Sequence, residues 1–414
     1  MRWKRSVSWL VTLATMCLGA DHGFARSDES GIAGKAKVVQ VPDSGIQPQA
    51  AIDERGVIHL VFFKGEPAGG DLYYTRLEPG ETRFTPRVRV NSKRGSAIAI
   101  GTVRGGQIAI GKGGRVHVAW NGTNGAVPKN PLGGVPMLYS RSDSGRTSFE
   151  PQRNLMKRTS MLDGGGTVAA DREGNVYVAW HGFSEDGGRT ESSRRMWVAR
   201  STDDGATFSP ESPAYERETG ACGCCGARAF VDRRGSVHLL YRAATGGADR
   251  DMYLLSSDDH AGHFRGEMID HWRADACPMS TSAMAQSGDA LIIAWETRGE
   301  VYIRKVGPGT RQSRAIAPSG GGGDRKHPAV AGNARGETIL VWTEGTGWQR
   351  GGSLAWQVFD QDNRPIGPRG RIEGGVPIWG LSAVVAMPDG SFTILSSQRP
   401  AASAGARTTG HVAN

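Results

Sequence analysis

The sequence predicts an all-β chain folded as a β-propeller of four-stranded antiparallel blades, with seven as the expected blade count and six as the alternative. Three observations carry this. One hairpin unit recurs along the chain, its closing residues recur at blade-length spacing, and an extra apolar strand precedes the first unit. Such repeats have to be sought before length is interpreted, because 414 residues would otherwise suggest roughly two or three domains.

Each unit opens with a short strand of small and apolar residues. A polar Gly turn follows, then an apolar strand that often ends in an aromatic residue. The copies are Ala50–Asp53 to Val57–Phe63, Ile108–Ile110 to Val116–Trp120, Val168–Asp171 to Val176–Trp180 and Ala229–Asp232 to Val237–Tyr241. Ala283–Gln286 to Leu291–Trp295, Ala329–Ala331 to Thr338–Trp342 and Ala383–Met387 to Phe392–Leu395 complete the series. The closing residues Phe63, Trp120, Trp180, Tyr241, Trp295, Trp342 and Leu395 lie 57, 60, 61, 54, 47 and 53 apart. That interval is too long for a hairpin and suits a four-stranded blade with its loops. Asp53-Glu54-Arg55-Gly56, Asp171-Arg172-Glu173-Gly174 and Asp232-Arg233-Arg234-Gly235 supply the Asp and Gly that tight turns use.

Third strands are expected at Leu72–Leu77, Met137–Ser140, Met196–Arg200, Met252–Ser256, Val301–Val306 and Leu354–Phe359, and fourth strands at segments such as Arg87–Val90 and Gly266–Asp270. The seventh unit stops after two strands. The N-terminal strand Ala36–Val41 is expected to complete it, which closes the ring and removes exposed sheet edges. No segment carries helical periodicity. The 60 glycines and 38% hydrophobic content suit many short strands joined by tight turns.

Residues 1–25 read as a signal peptide: Arg2, Lys4 and Arg5, then the apolar run Val7–Leu18, then small-residue cleavage sites at Leu18-Gly19-Ala20 and Gly23-Phe24-Ala25. The run is too short to span a membrane comfortably. The mature chain is therefore expected in the periplasm or outside the cell, as one propeller domain over 26–400 with a tail over 401–414. Its formal charge falls from +9 to +7 on cleavage, with basic residues scattered along the chain. Export and scattered charge argue against nucleic acid and stable membrane insertion, and leave an acidic glycan or a periplasmic or extracellular protein as the partner classes.

At the turn after a third strand, Ser201-Thr202-Asp203-Asp204-Gly205-Ala206-Thr207-Phe208 fits the Asp-box pattern Ser-x-Asp-x-Gly-x-Thr-aromatic. Ser142–Phe149 is a stretched copy and Ser256–Phe264 a decayed one. On these residues the chain resembles the bacterial sialidase/neuraminidase-repeat (BNR) superfamily over nearly all of its mature length. Ala221-Cys222-Gly223-Cys224-Cys225 and the later Cys277-Pro278 are similar to segments of exported bacterial proteins labelled exo-α-sialidase. The resemblance implies a glycoside hydrolase that holds a substrate carboxylate with three arginines and uses a Tyr–Glu nucleophile pair and an Asp acid/base. The sequence departs from that pattern. It has no Arg-Ile-Pro segment, no tyrosine after Tyr302, and seven units where six are usual, so no catalytic residue is carried over. The boxes themselves are turns: Asp binds backbone amides, Gly permits φ > 0 and the aromatic residue packs between strands.

Strand order places the 1–2 and 3–4 turns, hence the Asp boxes, at one end of the propeller. The long 2–3 and 4–1 loops, rich in Gly, Arg, Trp and Cys, lie at the other end, where a site is expected. Candidate catalytic residues there are Arg242, Asp251, Glu296, Arg298 and Glu344, with Arg228, Arg250 and Arg350 as further carboxylate or sulfate ligands. Glu296 and Glu344 follow second strands of adjacent blades and are a candidate carboxylate pair. Trp348 and Trp379 can stack on sugars or pack loops. His59, His117 and His238, on second strands, read as structural.

Cys222, Cys224, Cys225 and Cys277 all fall on this end, before the inner strands of blades four and five. They are expected either to form disulfides or to hold a soft metal, Cu or Zn, with His181, His271 and His327 nearby; a free reactive thiol is the remaining state. The function expected is a sialidase-like propeller that binds or hydrolyses an acidic glycan. The alternative is a non-catalytic scaffold or Cys-based metal site.

Overall fold

The computed structural model describes residues 35–274, 277–307, 314–320 and 323–398. The expected signal peptide and the tail from 401 lie outside the described residues. Seven separate sheets follow one another along the chain. Blade one comprises Ile46–Ile52, Ile58–Lys64, Asp71–Leu77 and Val88–Arg89. Blade two comprises Gln107–Ile110, Val116–Asn121, Met137–Arg141 and Arg153–Asn154. Blade three comprises Thr167–Ala170, Val176–Ser184, Arg195–Ser201 and Ser212–Pro213, with Thr159–Ser160 added beside the end of its second strand. Blade four comprises Arg228–Val231, Val237–Arg242, Met252–Ser257 and Arg265–Asp270. Blade five has Ala283–Ser287, Ala290–Thr297 and Glu300–Val306, and Ile316 bridges Ile303 where a fourth strand would run. Blade six comprises Arg325–Gly332, Thr338–Glu344, Gly352–Phe359 and Pro365–Val376. Blade seven joins Ser382–Ala386 and Phe392–Ser396 to the N-terminal strand Ala36–Gln40.

The second strands show why the sequence reads as continuous apolar runs. Each is covered on both faces by a neighbouring blade, so Val116–Asn121 is buried at every position. Seven apolar layers fill the seven interfaces between successive blades, and the last joins Val385 and Leu395 of blade seven to Leu60 and Phe62 of blade one. Trp120, Trp180, Trp295 and Trp342 are fully buried in these layers. Burial of aromatic area on this scale is the main driving force for stacking the blades. Inner strands touch their neighbours around the whole ring, including blade seven against blade one.

The closing blade differs from the other blades in a way set by chain direction. Ala36–Gln40 pairs with Phe392–Ser396 in parallel, from Ala36 opposite Phe392 to Gln40 opposite Ser396. The N-terminal strand must end beside the inner strand of blade one, so it runs as a fourth strand would. It occupies the place of a third strand, and the pair is therefore parallel where every other ladder between strands is antiparallel.

The Asp-centred turns form as the residue types require. Ser201 Oγ donates to Asp203 Oδ1 at 2.7 Å, Thr207 N donates to Asp203 Oδ1 at 2.8 Å, and Thr207 Oγ1 donates to Asp203 Oδ2 at 2.6 Å. Phe208 packs edge-on against Tyr139 of the previous blade. Asp204 N donates to Gly174 O at 2.8 Å, which places the 3–4 and 1–2 turns at the same end. The turn in blade four starts at Ser257 rather than Ser256. Ser257 and Asp259 repeat the same bonds, His263 replaces Thr, and Ala261 takes φ 65° where Gly stands in blade three. It is a substituted copy, not a decayed one. His59 and His117 bond Tyr74 and Tyr139 at 2.7 Å, and His238 bonds Ser256 at 2.9 Å, the structural use expected of them. Burial drives His59 down to about 4, so it is neutral inside the blade at pH 7.

The hydrogen bond from the Thr207 hydroxyl, followed by that from its backbone amide, holds the Asp203 carboxyl near 2. Its contribution to stability is thus present above the ordinary carboxylate range and lost as pH falls from about 4 toward about 2. Asp203→Ala is expected to cost about 1 kcal/mol at pH 7, measured by urea unfolding, and to flatten the acid limb of the stability curve between those pH values.

Candidate functional site

The loop end carries the unusual chemistry, and backbone hydrogen bonds fix its central loop. Cys222 N donates to Arg242 O at 2.9 Å, and Cys225 N to Cys222 O at 3.4 Å. Gly226 N reaches Ser280 O at 2.9 Å, which ties the loop before blade four to the loop before blade five. Glu191, in the 2–3 loop of blade three, accepts Gly223 N at 3.2 Å and Arg250 Nη2 at 2.6 Å.

This places all four cysteines together, as the strand order requires. Cys224 and Cys277 form a disulfide with 6.4 Å between Cα atoms. Cys222 and Cys225 are buried free thiols. Cys222 Sγ lies 3.4 Å from Cys224 Sγ and 3.5 Å from Cys225 Sγ, beyond the ~2.05 Å of a bond. The arrangement is therefore one disulfide and two thiols, neither two disulfides nor four thiolates. The sulfurs of Cys222, Cys224 and Cys277 lie within 4.8 Å of one another, but two of them share a bond, so the four-cysteine Cu or Zn set is not available in this state. The hydrogen bond from Cys222 holds the Cys225 thiol below its ordinary value, with Arg242 adding to the effect, and the same contact pushes Cys222 up.

The candidate acid/base and arginine residues occupy distinct settings. Arg242 is buried; its Nη1 donates to Arg250 O at 2.6 Å, its Nη2 to Glu296 O, and its guanidinium lies over Trp272. Asp251 Oδ1 accepts from His271 Nδ1 at 2.8 Å and Trp272 N at 3.2 Å. Glu296 is 1% exposed, and one of its oxygens accepts Gly299 N at 2.7 Å. Arg298 is exposed in a left-handed turn at φ 58°. Glu344 lies 3.7 Å from Arg325 Nε, 3.3 Å from Arg369 Nη1 and 2.9 Å from Arg371 Nε, and also accepts Trp342 Nε1 at 2.9 Å. Glu296 and Glu344 share no bond; each has its own partners. His181 and His327 are buried, and burial holds both imidazoles neutral.

The throat at the loop end is narrow. Gln49, Gln107, Gly166, Arg228, Ser282 and Leu381 leave about 20 Å³ between them, the size of one water. Arg228 bonds Gln107 and Ser282 O, and among the described residues no carboxylate pairs with it. Burial lowers it to about 10, so it stays charged at neutral pH. A larger recess of about 490 Å³ lies at the opposite end, between Lys112, Arg115, Glu173 and Thr202–Asp204. Its Arg115 is paired with Asp204, and its walls are the turns described above.

Around the throat the surface is aromatic and basic. Trp348 is 57% exposed and stands edge-on to Trp379, ring centres 4.8 Å apart. A Cβ at Gly101 would lie 3.7 Å from Trp348 and 3.0 Å from Arg104, so the 2–3 loop of blade six reaches the loop before blade two. Gln349 and Trp379 hold φ 50° and 60°, left-handed conformations that side chains of this size rarely adopt. Arg104 and Glu191 had no signal in the sequence, because their roles depend on contacts between loops distant in the chain.

No family model matches the chain, and no curated protein matches it. Its fold is similar to a Hadza microbial sialidase, at 14% identity over 80% of this chain and 74% of that one, with a TM-score of 0.51. It is also similar to a fungal alcohol oxidase of the AA5 family in complex with copper, at 12% identity over 84% of this chain and 69% of that one, with a TM-score of 0.52. At such identities the likeness is one of fold.

Glu344→Ala removes the shared anion of three guanidinium groups and is expected to cost about 3 kcal/mol in urea unfolding. Burial raises Glu296 above its ordinary 4.5, so its ionisation weakens the fold as pH rises past that value. Glu296→Gln is expected to be the more stable form at pH 7, with the difference closing by about pH 4 in thermal unfolding.

Proposed function

We propose that this chain is an exported sialidase-like propeller that binds an acidic glycan at its loop end. The Trp348–Trp379 pair beside Arg104 is the observation that carries the reading. An exposed indole held edge-on to a second one offers a flat apolar face to a sugar ring. Arg104 beside it is paired with Asp163 and the Ile100 carbonyl, so the preference for an acidic sugar rests on the chain's net charge of +9. The left-handed backbone at Gln349 and Trp379 supports it, because strain of this kind concentrates at ligand-binding segments. The fold likeness to a sialidase agrees with a carbohydrate ligand.

Binding is favoured over hydrolysis by the state of the carboxylates. Glu344 is neutralised by arginines, Asp251 is held by His271 and Trp272, and Glu296 is out of reach of solvent. A soft-metal role for the cysteine cluster is the weaker reading, because it first requires breaking the Cys224–Cys277 bond.

Calorimetric titration with oligosaccharides ending in sialic or uronic acid, and with their neutral counterparts, tests the proposal. The charged sugars are expected to bind and the neutral ones to bind at least tenfold more weakly. Trp348→Ala is expected to weaken binding about fivefold to tenfold, roughly 1 kcal/mol, without change in thermal stability. A fluorogenic sialoside is expected to bind without turnover. Equal affinity for charged and neutral sugars, or none for either, would overturn the proposal.

A further inference from the structure

Two buried thiols packed against a disulfide are not explained by glycan binding. Cys222 and Cys225 do not belong to the apolar layers on either side of blade four, so they are not simply small core residues. Cys222 Sγ stands midway, 3.4 Å from Cys224 of the disulfide and 3.5 Å from its partner thiol Cys225. Bonds to Arg242 O at the end of a strand, and to Ser280 O and Glu191 Oε1 in two other loops, hold this spacing. The far sulfur of the disulfide belongs to Cys277, which is exposed, while Cys222 and Cys225 are 2% and 4% exposed. A buried dithiol is thus connected through one sulfur contact to a disulfide that opens onto solvent.

We propose that the four cysteines form a thiol–disulfide exchange relay, which moves a disulfide between the surface pair Cys224/Cys277 and the buried pair Cys222/Cys225 and takes peptide or protein dithiols as substrate. In the first internal step Cys225, as thiolate, takes the proton that Cys222 already donates to it, and the Cys222 thiolate so formed attacks Cys224. The Cys222–Cys224 bond forms, the Cys224–Cys277 bond breaks, and Cys277 leaves as thiolate. In the second step Cys225 attacks Cys222, its proton passing to Cys277. The Cys222–Cys225 bond forms and Cys224 leaves as thiolate. The sum is an isomerisation: one disulfide before and after, no electrons gained or lost. At the surface, a substrate dithiol gives two electrons and two protons to Cys224–Cys277 and leaves as a disulfide. A small disulfide such as oxidised glutathione then reoxidises the chain and leaves as two thiols.

The test is disulfide mapping of the mature protein after equilibration in glutathione redox buffers, acid quench and alkylation of free thiols. In the form with two free thiols, both Cys224–Cys277 and Cys222–Cys225 linkages are expected, in a ratio that stays constant as the buffer potential changes. Cys222→Ser is expected to retain Cys224–Cys277 alone. Cys225→Ser is expected to trap Cys222–Cys224 with Cys277 free. With oxidised glutathione present, a dithiol peptide is expected to oxidise several-fold faster with wild type than with Cys277→Ser. A single invariant Cys224–Cys277 linkage in wild type, Cys224–Cys277 retained with no Cys222–Cys224 linkage in Cys225→Ser, or no acceleration of peptide oxidation would each overturn the proposal.

Discussion

Everything in this molecule depends on closing the ring. Lys35–Val41 is the fastener: Phe392 N donates to Lys35 O at 2.8 Å, Val41 N donates to Ser396 O at 3.1 Å, and the ladder between them covers the edge of the last strand. The apolar layers join each blade to its two neighbours, so a break at any interface would leave two sheet faces of buried aromatic and aliphatic residues in water. Closure has a second consequence. At the loop end of the inner strands, Gln107, Arg228, Ser282 and their neighbours leave a cavity of about 20 Å³. A ligand larger than a water molecule does not fit in that cavity.

The two rims are built for different work. At one end, Asp203, Asp143 and Asp259 spend their carboxylate oxygens on the backbone and hydroxyl donors of their own turns. Those turns send Phe208 and Phe149 into the neighbouring blade against Tyr139 and Tyr74. The aspartates are structural, and the 490 Å³ recess beside them is a gap between turns. At the other end the long loops bond to each other: Glu191 to the Cys224 loop, Ser280 to Gly226, and Trp348 over Gly101. Contacts of this kind hold reactive sulfurs and exposed indoles in fixed positions, which turns alone do not.

The strands were legible because burial on both faces writes itself as unbroken apolar runs. Val116–Trp120 was read one residue short of Val116–Asn121, and Thr338–Trp342 two short of Thr338–Glu344. The meeting of the cysteines was also legible, since strand order alone sends the loops before blades four and five to one end. Their pairing was not, because it depends on which way each sulfur points from a loop whose path is set by Glu191 and Arg242. The blade-four turn was misread by one residue because Ala261 stands in a left-handed position that composition assigns to glycine. Glu344 was read as half of a candidate carboxylate pair with Glu296. Its neutralising Arg371 lies 27 residues on, across a fourth strand whose register the sequence does not specify.

The central claim is that ligands meet this propeller at the loop end and not at the Asp-turn end. Hydrogen exchange of the mature protein with and without an acidic oligosaccharide measures this directly, by locating the amides that gain protection. The account predicts slowed exchange in 99–104, 346–350 and 377–381, with the turns at 171–175 and 201–207 unchanged. Protection at those turns, or around Lys112 and Arg115, would contradict it.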